Sequence, residues 1–268
     1  VKRIVVRDWN ELNEVLYADA WKEELQRFRS SFIYRGLPST RFDLQTSLMR
    51  LGGNYPELEQ HLLRAFRRYA HRYASFTDLL WNWLALAQHH GLPTRLLDCT
   101  YSPFVALHFA TADPLSMHED AVVWCIDYMR CEQFLPEKLR VILKTEGATV
   151  FTGEMLNHGA PTLSEFAKLN DQPFAAFFEP PSFDDRIVNQ FALFALMSRP
   201  TTRLDTWLDE HEGLAVQVVI PAALKGEVRD KLDQANITER VLLPGLDGLS
   251  AWLSRYYRPR LAASVRQI

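Results

Sequence analysis

The stretch "QHHGLPTRLLDCTYSPFVALHFA" (residues 88–110) decides how this chain is read. It sets two histidines, an arginine and an aspartate around a glycine and a proline, between two strongly apolar runs. Gly91 suits the end of the helix expected over "DLLWNWLALAQHH" (78–90), where Ser75 or Thr77 is a candidate cap and Leu80, Trp83, Leu84 and Ala87 form the expected buried face. "LLDCT" (96–100) is short and extended. Ser102 before Pro103 is a strong helix start, with the hydroxyl as N-cap and proline in the first turn of "PFVALHFATA".

Working outward, "YPELEQHLLRAFRRYAHRYASF" (55–76) carries Leu62, Phe66, Tyr69, Tyr73 and Phe76 at helical spacing, an amphipathic stripe. "RIVV" (3–6) and "FIYR" (32–35) read as strands, separated by helix-like "WNELNEVLYADAWKEELQRF" (9–28). "AVVWCI" (121–126), "RIVNQFALFAL" (186–196), "LAVQVVI" (214–220) and "ERVLL" (239–243) read as later strands. Helices mainly in the first half and strands in the second predict an α+β fold. No internal repeat or low-complexity linker divides residues 1–268, so one domain is expected.

With 47% hydrophobic and 24% charged residues the composition is that of a soluble globular protein. A net charge of -3 argues against bulk electrostatic attachment to nucleic acid and leaves only a local patch for that role. Three cysteines without zinc-ligand spacing fit a reducing compartment. No apolar run approaches the ~20 residues that span a bilayer, and the first residues lack a signal-peptide core. A cytoplasmic protein without membrane partners is expected.

Three segments carry candidate chemistry. Thr100 and Ser102 place hydroxyls at a helix mouth, where unpaired amides and the helix dipole favour an anion; Ser102 also serves as an ordinary cap. In "YRG", Tyr34, Arg35 and Gly36, an arginine at a strand end can hold a phosphate while glycine lets backbone approach; pairing of Arg35 with a carboxylate is the alternative. Arg64, Arg67, Arg68, His71 and Arg72 form a basic helix face opposite the aromatic stripe, either a nucleic-acid track or a solvated surface. His89 and His90 lie at a helix end, and no second ligand pair gives metal spacing, so no metal is expected. Asp98 pairs with Arg95 or faces a pocket; Glu179 and Gln190 are polar groups beside apolar sequence.

Taken together, "FIYRG", the 88–110 string, "RIVNQFALF" and "ITERVLLPGLDGLSAWL" resemble the FRG domain family, in order, over about residues 32–255. Cys99 stands where that family usually shows tryptophan, and Phe191 or Ala192 near its usual glycine. The family's motif order is similar to that of ADP-ribosyltransferases of the Arg-Ser-Glu type, which have a split β-sheet core. This resemblance implies that NAD is a substrate. Tyr34, Arg35, Gly36, Arg95, Thr100 and Ser102 would bind it, with Arg35 on its phosphates. Gln190 stands nearest the late catalytic position, but an amide carries no negative charge. Glu179 or Asp98 would then supply that charge, with His89 orienting NAD or holding the carboxylate.

The leading expectation is an NAD-dependent ADP-ribosyltransferase, a toxin or phage-defence effector, that modifies nucleic acid or protein and is held by an antitoxin or other regulatory protein. The runner-up is a non-catalytic module that senses a nucleotide or nucleic acid. A nuclease or other hydrolase fares worst, since neither a carboxylate cluster nor a nucleophile–base pair is legible.

Overall fold

The computed structural model describes residues 1–73 and 78–258. One seven-stranded sheet organises them. Its strands in chain order are β1 (Lys2–Val5), β2 (Phe32–Leu37), β3 (Leu96–Thr100), β4 (Ala121–Asp127), β5 (Ala175–Phe178), β6 (Ala192–Met197) and β7 (Ala215–Ile220). Their spatial order is β1-β7-β4-β2-β3-β6-β5, and only the β1–β7 pair is parallel.

The sheet is two halves joined at one point. β2 pairs with β4 from Phe32–Asp127 to Leu37–Val122, and β3 pairs with β6 from Leu96–Leu196 to Thr100–Ala192. Between β2 and β3 the register consists of Tyr34 opposite Thr100 alone. Away from that pair the two central strands part, and their edges are free to line a cleft.

Helices cover both faces and interleave with strands along both halves of the chain, which keeps the architecture α+β. Helices α1 (Trp9–Leu16), α2 (Tyr55–Ala70), α3 (Leu80–His89) and α4 (Pro103–Thr111) precede β4. Helices α5 (Asp185–Asn189), α6 (Ala222–Gln234), α7 (Glu239–Leu242) and α8 (Leu246–Tyr256) come later. Residues from both halves of the sheet share one apolar cluster, including Ile33, Leu97, Trp124 and Ala195. Elsewhere each half has its own cover. Tyr34, Val123 and Val218 pack with α1, α4 and α6, whereas Leu96, Phe178 and Leu196 pack with α3.

Local chemistry accounts for most boundaries. Ser102 caps α4 through Val105 N at 3.3 Å, with Pro103 at its first position, as expected. Gly91 sits at φ +80° and closes α3, its amide donating to Gln88 O. α3 is buried on all sides from Trp81 to Ala87 rather than along one face. The proposed caps Ser75 and Thr77, and Phe76 of the α2 stripe, lie outside the described residues.

Four expectations need correction. The helix over 9–28 stops at Leu16, where its buried positions Leu12 and Leu16 run out. Asp19 and Gln26 then take positive φ, and Trp21–Lys22 pairs with Arg27–Phe28 as a small ribbon. Residues 186–196 are a short helix and a strand, not one strand: Asp184 caps α5 through Arg186 N and Ile187 N before β6 begins. "ERVLL" is helical, as α7. Tyr69 and Tyr73 of the α2 stripe face solvent at 72% and 66% exposure, so the buried stripe ends with Phe66.

A candidate active site at the split of the sheet

Where β2 and β3 part, a cleft of about 1170 Å³ opens. Strand β2 contributes Tyr34, Arg35 and Gly36, and strand β3 contributes Asp98, Cys99 and Thr100. The end of α3 adds Gln88, His89 and His90; α4 adds Ala106 and Phe109; Arg186 and Gln190 come from α5 and its end. Arg41, Arg50 and Asp43 close the remaining wall. Four arginines thus face two aspartates, and Asp43 is held by Arg203 at 3.2 Å. The cleft is cationic and suits an anion.

Arg35 spans the split. Its Nη1 donates to the backbone oxygen of Asp98 and lies 3.9 Å from the Asp98 carboxylate. Its Nε is buried with no hydrogen-bond partner, a donor left over at the cleft. Asp98 keeps a 62% exposed side chain, and both its oxygens accept from Gln88 Nε2, at 3.1 and 3.0 Å. Thr94 Oγ1 in turn donates to Gln88 Oε1 at 2.5 Å, which fixes which way the amide points. Asp98 is therefore oriented by one amide yet open to a ligand.

His89 sits across the cleft, its Nε2 2.6 Å from Asp184 Oδ2. Burial works against the Asp184 charge, but the His89 bond and the amides of Ile187 and Arg186 outweigh it and lower its pKa. His89 thus ties α3 to the start of α5. Thr100 Oγ1 donates to Gln190 O at 2.7 Å and accepts from Ser102 N at 3.0 Å. Cys99 is no nucleophile, because burial pushes its thiol up to about 12.

Other expected site residues lie outside the cleft or are spent on structural contacts. Arg95 is buried and committed to Glu59, through Nε at 2.7 Å and through Nη2, and to Ser198 O at 3.0 Å. It is a core ion pair and not a ligand-binding group. Ser102 does not line the cleft, and the helix mouth spends its polar groups on its own cap and on Thr100. Gly36 lines the cleft, but its lack of a side chain serves α4: a Cβ there would lie 1.8 Å from Ala106 O. Glu179 lies outside the cleft and accepts from Tyr101 OH at 2.7 Å. Gln190 lines the cleft while its Nε2 donates to Leu242 O at 2.8 Å, so its amide docks α7.

Gln88 and Asp184, which orient Asp98 and His89, were not singled out in the sequence. Gln88 stands inside the 88–110 string and Asp184 inside "FDDRIVNQ", so the signal was adjacency to candidates already named. Among the described residues no group of three or more His, Cys, Asp or Glu could hold a metal ion. No helix among them is long and apolar enough to cross a membrane.

Fold and cleft define an α+β protein with an arginine-lined cleft at the break in its sheet. One stretch of the chain, residues 30–119, matches the family model of the FRG domain. It holds β2, β3 and the helices α2, α3 and α4, hence most of the cleft wall. No curated protein and no solved structure matches the chain.

Proposed function

We propose that the cleft binds NAD and that the chain transfers its ADP-ribose to an acceptor. One observation carries the reading. Arg35, from one strand, and His89, Asp98 and Thr100, more than fifty residues later in the chain, line a single cleft at the split of the sheet. Its volume exceeds the ~300–1,000 Å³ usual for small-molecule sites, which leaves room for a dinucleotide.

Arg35, with a free buried Nε, holds the pyrophosphate through charge-assisted bonds. Breaking the bond between the ribose anomeric carbon and the nicotinamide ring sends its electron pair to the ring nitrogen and leaves an oxocarbenium-like sugar. The Asp98 carboxylate, steered by Gln88, stabilises that positive charge as it develops. The acceptor then attacks the anomeric carbon and passes its proton to the Asp98 carboxylate, which returns it to solvent. Asp98 takes the catalytic role here in place of Gln190, whose amide is spent on Leu242 O, and of Glu179, which lies outside the cleft.

Nicotinamide release from NAD, with RNA, single-stranded DNA or cell lysate as acceptor, tests the reading. Arg35→Ala weakens NAD binding by roughly 1.5–3 kcal/mol. Asp98→Asn keeps binding and lowers turnover by about 100-fold or more. Release unaffected by both substitutions rejects the site.

One feature favours a second reading, a nucleotide-sensing module: the late position holds an amide occupied by Leu242 O rather than a carboxylate. Thermal stabilisation by NAD without any nicotinamide release selects the sensor.

A further inference from the structure

The C-terminal half of α2 and the turn after it present an ordered cationic surface. Arg64, Arg68 and Arg72 recur every four residues, so each lies about 6 Å further along the axis than the last. None has a carboxylate partner among the described residues, whereas their neighbour Arg67 pairs with Asp78 at 2.8 Å. Residues 74–77 contain no acidic group. Beside the column stand two solvent-facing rings, Tyr69 and Tyr73, each stacked on one face by a guanidinium at 4.4 and 4.6 Å. Three uncompensated charges in a row, on a chain of net charge -3, constitute the local patch that bulk charge could not supply.

We infer that this surface binds single-stranded nucleic acid, with the arginine column on successive phosphates and the two tyrosines stacking unpaired bases. A regular cation repeat complements a polyanion, and exposed rings add stacking that a base-paired duplex cannot offer. The surface also lies close to the cleft. Arg67 sits over the Trp83 ring at 5.8 Å, and His89 follows Trp83 by six residues, roughly 9 Å along α3. A strand on the column therefore has an end within a few nucleotides of the cleft. Binding stands independently of any chemistry; that the bound strand is also the acceptor rests on the transferase reading.

The test is fluorescence anisotropy of the whole chain with a labelled 15-nucleotide oligo(rU) and oligo(dT). At about three phosphates neutralised, affinity falls roughly 20-fold between 50 and 200 mM salt. The Arg64→Gln/Arg68→Gln/Arg72→Gln variant, its fold checked by thermal melting, loses at least tenfold in affinity and most of that salt dependence. Tyr69→Ser and Tyr73→Ser each weaken binding by roughly fivefold or more, and a duplex of equal length binds more weakly than either single strand. No binding at 50 mM salt, a triple variant that binds like the parent, or an acidic polypeptide that competes equally well overturns the inference. Nicotinamide release, measured on the same variants without acceptor, stays at the parental level. Loss of binding with intact release, or the reverse, thus separates failure of this inference from failure of the transferase reading.

Discussion

Single atoms decide the shape of the cleft. Gly36 has no side chain because α4 runs against β2 at backbone distance, with Ala106 O and Ala110 N both where a Cβ would intrude. Gly36→Ala forces that helix outward and costs about 3 kcal/mol or more, beyond ordinary overpacking, because backbone must move. A chemical-denaturation midpoint measures this, and an unchanged midpoint refutes the packing account. Phe191 shows the opposite situation. It holds φ +47° and is 63% exposed, with no packing that would require the phenyl ring there. Phe191→Gly relieves left-handed strain of about 1 kcal/mol and raises the same midpoint.

Among the elements, the junction of α5, β6 and α7 holds one wall of the cleft. Asn189 Nδ2 donates to Val241 O at 2.9 Å and Gln190 Nε2 to Leu242 O, so two adjacent side chains satisfy the end of α7. Gln190 O meanwhile accepts from Thr100 on β3, which ties the same turn to the split. Gln190→Ala leaves the Leu242 carbonyl without its donor and costs roughly 1–3 kcal/mol of stability. Per folded molecule, nicotinamide release stays closer to normal in Gln190→Ala than in Asp98→Asn. An activity loss as large as that of Asp98→Asn, without loss of stability, would restore Gln190 to the chemistry.

Across the whole molecule, the helices of residues 222–256 are clamped to the stretch 30–119 by a buried polar network. His108 on α4 accepts from Arg229 of α6 at 2.9 Å, and Arg255 of α8 binds Glu239 and Asp233. Burial, with Arg229 next, lowers the His108 pKa to about 4. The folded protein keeps this imidazole neutral while the unfolded chain protonates it near 6.5. Its stabilising contribution is therefore complete above pH 6.5 and is lost as pH falls from there to about 4, on the order of 3 kcal/mol in all. Urea midpoints across that range fall in the parent and flatten in His108→Gln; parallel curves refute the assignment.

Much of this was legible in the sequence because it rests on local chemistry. Ser102–Pro103 starts a helix, Gly91 ends one, and β1, β2, β4 and β7 follow their apolar runs. The short 186–196 and 239–243 segments misled, since apolar runs of that length suit a strand or a buried helix equally well. Cleft membership of His89, Asp98 and Thr100 followed from the motif string, because neighbouring residues on one strand and the helix before it travel together, while Arg35 joins them only through the pairing of β2 with β3. Only the tertiary structure assigned partners. It sent Arg95 to Glu59 in the core, turned Gln190 toward α7, set Glu179 outside the cleft and left Asp98 open. A side chain's type states what it can bind, but its nearest partner in a packed interior decides what it does bind, and those partners lie up to 103 residues away in sequence.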